Sequence, residues 1–277
     1  MKYDEWKRLK TVERTYLSAL MRLVKIFNKI AQSSGSDKDI YQKAMERFQN
    51  SKQYERYVYS AVKRMVTPLE VGNMKTWRSA AKKATKGRFL YSLLIEELKQ
   101  GKDIVIRNQI IENANLIKTL PTDVAQKVVK DIYEESLKGA RAESIEKIIR
   151  DKTDQHARAS VRLIARTETA KTQSALTKAR CEELGLRWYV WRTSLDGNRV
   201  RKSHQIMEGV LVRWSDPPSP EALAGEESVG NYHAGNIWNC RCYSEPLIEI
   251  DDVQWPHKVH VSGQIQTMSK KQFMEIM

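Results

Sequence analysis

The placement of proline and glycine divides this sequence at Gly185. Of its 7 prolines and 12 glycines, only Pro68, Pro121 and five glycines lie before that residue. Both residue types interrupt helices and are common in turns. The first two thirds of the chain therefore favour long helices, whereas the last third favours short strands joined by loops.

Apolar residues recur at helical spacing through the first two thirds. In residues 3–30 they stand three, four or seven apart, as on one face of an amphipathic helix. The same pattern predicts further helices over 38–66, 73–100, 103–118, 122–138, 143–151 and 155–184. Gly185 is expected to end the last of them. A stripe of mostly small residues along that helix would let another element pack closely, and its members are Leu163, Ala170, Ser174, Thr177 and Cys181.

Three segments after Gly185 are rich in the aromatic and β-branched residues that strands favour. They cover residues 186–194, 210–214 and 240–248, and a hairpin with a final helix is expected within 255–277. The predicted fold class is α+β. A largely helical N-terminal region precedes a small α+β domain in which a long helix packs on a short, mostly antiparallel sheet.

The formal net charge of +14 is distributed unevenly. Residues 1–184 contain 38 basic and 23 acidic side chains, whereas residues 185–277 contain 10 and 11. Such a surplus favours a polyanionic partner, because neutralised phosphates release condensed counterions. We therefore expect non-specific contact with double-stranded DNA. We expect no secretory signal and no membrane partner, because the N-terminus is charged throughout and long apolar runs are absent from the sequence.

The chain has three cysteines, and two of them, Cys240 and Cys242, stand one residue apart. In an extended strand their side chains would share a face, with Cα atoms about 6–7 Å apart. We expect them to be buried structural thiols, with a zinc site that includes His204 and His233 as the alternative. A disulfide is disfavoured in a reducing cell, and no paired base marks a catalytic thiol.

Basic side chains in two segments are candidate contacts with DNA or a protein partner, and they are Arg166, Arg199, Arg201 and Lys202. Arg166 and Glu168 lie on the predicted helix 155–184. They either form part of a solvated face or reach across to the β part and anchor it. Asp196 and His204 permit a metal-dependent nuclease as an alternative, although two-metal nucleases need several acidic ligands. We assign no catalytic residue.

Tryptophan is concentrated in the last third of the chain. Five of the seven tryptophans lie there, at Trp188, Trp191, Trp214, Trp238 and Trp255. We predict that they form the core of the small sheet, with a base-stacking platform as the alternative.

The order of these segments resembles the head morphogenesis domain of tailed-phage minor capsid proteins, the Mu F-like family. The resemblance is carried by LIARTETAKTQSALTKAR (163–180), WYVWRTSLDGNRVRKSHQIMEGVLV (188–212) and NCRCYSEPLI (239–248). The family's marked positions correspond to Arg166, Glu168, Asp196, Arg199, Arg201, His204, Gly209, Asn239, Cys240, Arg241 and Cys242. Many relatives have Pro or His-Pro before the Asn-Cys-Arg-Cys segment, where this chain has Ile237 and Trp238. One potential metal donor is therefore missing here.

The resemblance covers about residues 112–248 and implies a structural virion protein of head morphogenesis, not an enzyme. It implies association with the portal protein, with major capsid or scaffolding protein and with packaged DNA. The protein would lie inside the head, after assembly in the host cytoplasm. The predicted regions are a basic helical region at 1–111, the Mu F-like domain at 112–250 and a C-terminal appendage at 251–277. No cofactor is expected, with zinc as the alternative.

Overall fold

The computed structural model describes residues 6–7, 9–84, 92, 94, 103–138, 142–194 and 200–277. Its helices are α1 (Lys10–Ser34), α2 (Lys38–Gln49), α3 (Lys52–Lys83), α4 (Asp103–Lys118), α5 (Leu120–Leu137), α6 (Ala142–Glu183), α7 (Lys202–Gln205), α8 (Pro220–Leu223) and α9 (Lys270–Ile276). Its strands are β1 (Trp188–Arg192), β2 (Leu211–Arg213), β3 (Tyr243–Pro246), β4 (His257–Val261) and β5 (Gln264–Met268). Within these described residues, no helix combines the length and the hydrophobicity needed to cross a bilayer.

The predicted α+β class is confirmed, but several helix predictions are wrong in their boundaries. The predicted helix 38–66 is two helices. The Ser51 hydroxyl accepts a hydrogen bond from the Tyr54 amide at 3.1 Å and so begins α3. The predicted helices 143–151 and 155–184 are one helix, α6, because the residues between them include neither glycine nor proline.

Gly185 ends α6 as the sequence predicts. Its φ of +70° lies in the left-handed region, and the Leu186 amide donates to the Cys181 carbonyl at 2.8 Å. This arrangement satisfies a carbonyl that the last helical turn would otherwise leave unpaired. The predicted helix 73–100 begins inside α3, which ends at Lys83, and most of its remainder lies outside the described residues.

Contacts divide the chain into two compact units. The helical unit comprises residues 10–67 and 107–165, and the sheet unit comprises residues 1–9, 68–106 and 166–277. Helices α3 and α6 each contribute residues to both units. The helical unit buries an aromatic and aliphatic core that includes Leu20, Phe27, Tyr41 and Tyr54. The region boundaries given by the sequence stay predictions.

The sheet has five strands in the order β3-β1-β2-β4-β5. β1 runs antiparallel to β2 and β3, and β4 runs antiparallel to β5. β2 and β4 are parallel and pair at Leu211 and Val259. The sheet is therefore mostly antiparallel, as predicted. The expected C-terminal hairpin and helix are present, and the hairpin extends this same sheet.

Both faces of the sheet are buried at β1. Successive side chains of a strand point to opposite faces, so Trp188 and Val190 enter one apolar cluster with Phe273. Tyr189 and Trp191 enter the other cluster. Burial on two sides explains why β1 reads WYVWR without polar alternation.

The tryptophan prediction holds for the residues on the strands and next to them. Trp188, Trp191 and Trp214 are buried in the two clusters, and Trp255 is half-buried against the cluster that contains Phe273. Trp238 is the exception, because 52% of its surface is exposed.

Cys240 and Cys242 precede β3, and the prediction of a strand from residue 240 is wrong there. β3 begins at Tyr243, and the cysteines lie in an irregular segment. Asn239, next to the pair, has a φ of +61°. A left-handed residue breaks an extended chain. The C-x-C side chains are therefore positioned by a turn and not by strand alternation.

The small-residue stripe of α6 is buried in the sheet unit. Ala170, Ser174, Thr177 and Cys181 each expose 8% of their surface or less. Leu163, which the sequence placed on the same stripe, is 44% exposed and does not belong to it. Short side chains let the segment 232–242 approach the helix backbone closely.

Gly235 marks the closest approach. Its φ is +84°, and a Cβ added there would lie 3.1 Å from the Cys242 carbonyl oxygen and 3.3 Å from the Ala170 carbonyl oxygen. Both neighbours are backbone atoms, so neither can turn away. Glycine is therefore required by the backbone conformation and by the lack of space.

We expect Gly235→Ala to reduce the free energy of unfolding more than Gly225→Ala. Both glycines have positive φ, but a Cβ at Gly225 meets nothing within 4 Å. Gly225→Ala should cost about 1 kcal/mol from backbone strain alone, and Gly235→Ala about 2–4 kcal/mol because crowding adds to the strain. Urea denaturation measures both, and equal losses would contradict the close approach.

Candidate functional site

Three side chains that can bind metal converge inside the sheet unit. His204 belongs to α7, and Cys240 and Cys242 belong to the turn before β3. His204 Nδ1 lies 3.6 Å from Cys240 Sγ and 3.3 Å from Cys242 Sγ. The three residues are 2%, 3% and 4% exposed, respectively. The structure thus brings together three of the four metal candidates from the sequence.

A chain of hydrogen bonds supports the far side of the His204 ring. His204 Nε2 lies 2.9 Å from the Tyr232 hydroxyl oxygen. The Tyr232 hydroxyl donates to the Glu221 carboxylate, whose two oxygens lie 2.7 and 2.8 Å away. Ser203 donates to the same carboxylate at 3.2 Å. Burial and this hydrogen bond raise the pKa of Tyr232, so the phenol keeps its proton.

The two thiols differ in acidity because they are paired. The hydrogen bond with Cys242 holds the pKa of the Cys240 thiol well below its usual value, against burial and with help from His204. The pKa of Cys242 is raised by the same hydrogen bond and by burial. Cys240 is therefore the group of the pair that carries negative charge more readily.

His233 lies apart from this group. Its Nδ1 is 3.2 Å from the Tyr189 hydroxyl, and its ring packs against Trp214 with centroids 5.0 Å apart. Burial, followed by the positive charge of Lys178, lowers the pKa of His233 to about 4. The histidine is therefore a neutral member of the aromatic cluster near neutral pH.

Arg166 and its neighbours anchor the cysteine turn to α6. Arg166 Nη1 donates to Asn239 Oδ1 at 2.6 Å, and the Asn239 amide donates to Thr167 Oγ1 at 3.0 Å. Glu168 is 7% exposed and forms an ion pair with Lys171 at 3.6 Å. Arg166 thus contacts the turn before β3, whereas the ion pair of Glu168 stays within α6. The joint anchoring role of the two residues stays a prediction.

The other predicted residues fall into different environments. Arg201 donates to the Trp238 carbonyl at 3.0 Å, and its guanidinium lies 5.4 Å from the centre of the Trp238 ring. Lys202 is exposed at the start of α7, and Arg241 is half-buried between the cysteines. Asp196 and Arg199 lie outside the described residues, so the nuclease alternative built on Asp196 stays a prediction.

Gly209 connects α7 to β2. Its φ is +76°, its amide donates to the Trp191 carbonyl at 2.9 Å, and its carbonyl accepts from His257 Nε2 at 2.7 Å. A glycine there allows the left-handed turn that carries the chain from His204 back into the sheet.

Sequence reasoning missed Tyr232, Glu221 and Ser203. Glu221 lies on the short helix α8 and Tyr232 in the loop that follows it, and neither periodicity nor a motif distinguishes them. Ser203 is next to His204, which the sequence indicated, but Glu221, to which its hydroxyl donates, lies 18 residues away. Only the folded loop brings the three together.

The sheet, its packed helix and the enclosed polar cluster define a small α+β domain with a buried centre. Residues 126–245 match the family model for Phage Mu protein F like proteins. This part of the chain is therefore similar to Phage Mu protein F like proteins, as the resemblance of the sequence led us to expect.

The chain is also similar to a protein of Haemophilus influenzae whose description assigns no activity. That protein, described only as uncharacterized, is 31% identical over 139 residues, which are 50% of this chain and 28% of the relative. The chain thus spans less than a third of this relative's length. No solved structure matches significantly.

We expect stability to fall as the pH is lowered below about 6.5, partly because of His233. The unfolded chain takes up a proton near the ordinary histidine pKa of about 6.5, whereas folded His233 does so only at about 4. Between these pKa values the unfolded state binds more protons than the folded state. Lowering the pH from 7.5 to 5 should therefore reduce the free energy of unfolding by about 2 kcal/mol.

The variant His233→Gln tests this pH dependence. Urea denaturation at pH 7.5 and at pH 5 gives the free energy of unfolding at each pH. Between the two, the variant should lose about 2 kcal/mol less of this free energy than the wild type. The same pH-dependent loss in both proteins would show that His233 is not the group responsible.

Proposed function

We propose that the protein is a structural minor capsid protein of a tailed bacteriophage or prophage, and that it links head proteins to packaged DNA. The observation that carries this proposal is the similarity of residues 126–245 to Phage Mu protein F like proteins. Its partners would be the portal protein and the major capsid or scaffolding protein. Its place would be inside the head, after assembly in the host cytoplasm.

A groove in the helical unit supports the DNA part of the proposal. It lies between α1 and α3 and has a volume of about 330 Å³. Its lining includes three arginines, one threonine and two serines, namely Arg14, Arg22, Arg64, Thr15, Ser18 and Ser60. Its described lining includes no carboxylate. Arginine and hydroxyl donors are typical contacts of a DNA backbone.

The charges around this groove are unbalanced. The pKa of Tyr57 in its wall is raised by burial, and the nearby positive charges of Arg22 and Arg64 partly oppose that rise. The helical unit as a whole contains 23 basic and 14 acidic residues. DNA would release counterions on binding there, without reading sequence.

We expect replacement of Arg14, Arg22 and Arg64 by Gln to weaken DNA binding and its salt dependence. The slope of log K against log salt should become shallower by about 0.9 for each phosphate that the protein no longer neutralises, or by about 2–3 in all. Fluorescence anisotropy with a short duplex of arbitrary sequence measures the slope.

The control variant replaces three exposed arginines of the same unit that lie outside the groove: Arg56, Arg107 and Arg162. The control removes the same positive charge from outside the groove. If DNA binds in the groove, the slope of log K against log salt should change by about 2–3 in the groove variant and by less in the control. A wild type that fails to bind DNA even at low salt would exclude DNA contact altogether.

The Trp238–Arg201 pair supports the protein-binding part of the proposal. Trp238 is the half-exposed member of the tryptophan set, and Arg201 holds its carbonyl and stacks on its ring. Tryptophan and arginine are the side chains most enriched at energetic centres of protein interfaces. A ring already held in place loses little entropy on binding.

We expect Trp238→Ala to reduce co-purification of the protein with the portal protein from assembling heads at least tenfold, the effect of losing about 1.4 kcal/mol or more. The control is Met274→Ala on α9, which truncates a side chain that is 61% exposed. Equal recovery of the two variants would exclude Trp238 from the interface, and a wild type that never co-purifies with head proteins would exclude the linking role.

A further inference from the structure

The distances among the three buried donor atoms match one small metal ion. Tetrahedral zinc, with Zn–S of about 2.3 Å and Zn–N of about 2.0–2.1 Å, separates a sulfur from a nitrogen by about 3.6 Å. His204 Nδ1 lies 3.6 Å from Cys240 Sγ and 3.3 Å from Cys242 Sγ. All three atoms lie within 4.8 Å of one another. Small side-chain adjustments would suffice to bind the ion.

The hydrogen bonds behind the imidazole leave Nδ1 as the bare nitrogen. The Tyr232 hydroxyl has one proton, and it donates that proton to the Glu221 carboxylate. His204 Nε2, 2.9 Å from the tyrosine oxygen, must then carry a hydrogen and donate it. In a neutral imidazole the lone pair is then on Nδ1, which faces both sulfurs. Metal-bound histidines are commonly oriented by such a bond from their other nitrogen.

Without a metal ion, one thiol can donate to the single lone pair of Nδ1 and the other thiol to its neighbouring sulfur. The placement of both sulfurs within 3.6 Å of the same nitrogen is also the placement that a shared metal ion needs. The Cys242 amide also donates to Cys240 Sγ at 3.4 Å, and such a bond favours a thiolate. A nucleophilic role is disfavoured because side chains only 2–4% exposed give a substrate no access.

We propose that His204, Cys240 and Cys242 bind one zinc ion that joins α7 to the turn before β3. They supply three ligands of a tetrahedral ion, and water or a further donor completes the set. Two thiolates and an imidazole select zinc over magnesium and calcium, which prefer oxygen ligands. His204 and Cys240 are 36 residues apart, so the ion closes a long loop and stabilises the folded sheet unit.

Metal analysis of the reduced full-length protein tests the site. After reconstitution with zinc and removal of the excess, the wild type should retain about one zinc per chain. Cys240→Ser, Cys242→Ser and His204→Gln should each lose it. Two controls, Cys181→Ser and His233→Gln, remove a buried thiol and a buried imidazole outside the cluster and should retain it. A zinc-free wild type, or a His204→Gln variant that keeps its full zinc content, would overturn the proposal.

Cobalt substitution gives a test that needs no variant. Co²⁺ added to the reduced, chelator-treated wild type should produce a thiolate-to-cobalt charge-transfer band and the intense visible absorption of a tetrahedral ion. Zinc should then abolish both. If neither band forms, the proposal fails even where the cysteine variants do not fold.

Tyr232→Phe tests the positioning of the histidine. The variant removes the acceptor of the His204 Nε2 hydrogen but none of the three ligands. We expect zinc to remain stoichiometric while its affinity, measured by competition with a chromophoric chelator, falls about 10–100-fold. Unchanged affinity would overturn the role of Tyr232 in orienting His204.

Discussion

The close approach of the segment 232–242 to α6 is the constraint on which the sheet unit depends. The approach is possible because α6 presents short side chains there and because Gly235 has no Cβ to meet the Ala170 carbonyl. Arg166 and Thr167 then hold Asn239 in its left-handed conformation from the same helix. The turn that this creates directs Cys240 and Cys242 inward and leaves Trp238 at the surface.

The inward-facing cluster is polar, and each buried polar group destabilises the fold unless it has a hydrogen-bond partner. The structure meets this requirement with a continuous chain from the thiols through His204 and Tyr232 to Glu221. Such a chain gives the cluster one arrangement and ties α7, the long loop and the turn before β3 together. A zinc ion at its thiol end would replace weak S–H contacts by strong bonds at the same place.

The two units differ in the chemistry that they offer to a partner. The helical unit exposes an arginine groove without carboxylates among its described lining residues. The sheet unit has a buried polar centre and one half-exposed tryptophan held by an arginine. This contrast supports the proposed division of contacts, in which the helical unit would bind DNA and the sheet unit would bind protein.

Local patterns in the sequence predicted the α+β class, the presence of helices in the first two thirds, strands β1 and β2, the C-terminal hairpin and the end of α6 at Gly185. These patterns suffice there because apolar periodicity and helix-breaking residues act locally. The sequence also indicated Cys240, Cys242 and two histidines, His204 and His233, as residues to consider together. Only the tertiary structure decided that His204 joins the thiols while His233 joins the aromatic cluster, and that Glu221 and Tyr232 complete the chain. These contacts join residues far apart in sequence through an irregular loop, whose course is set by packing on α6 and not by any local pattern.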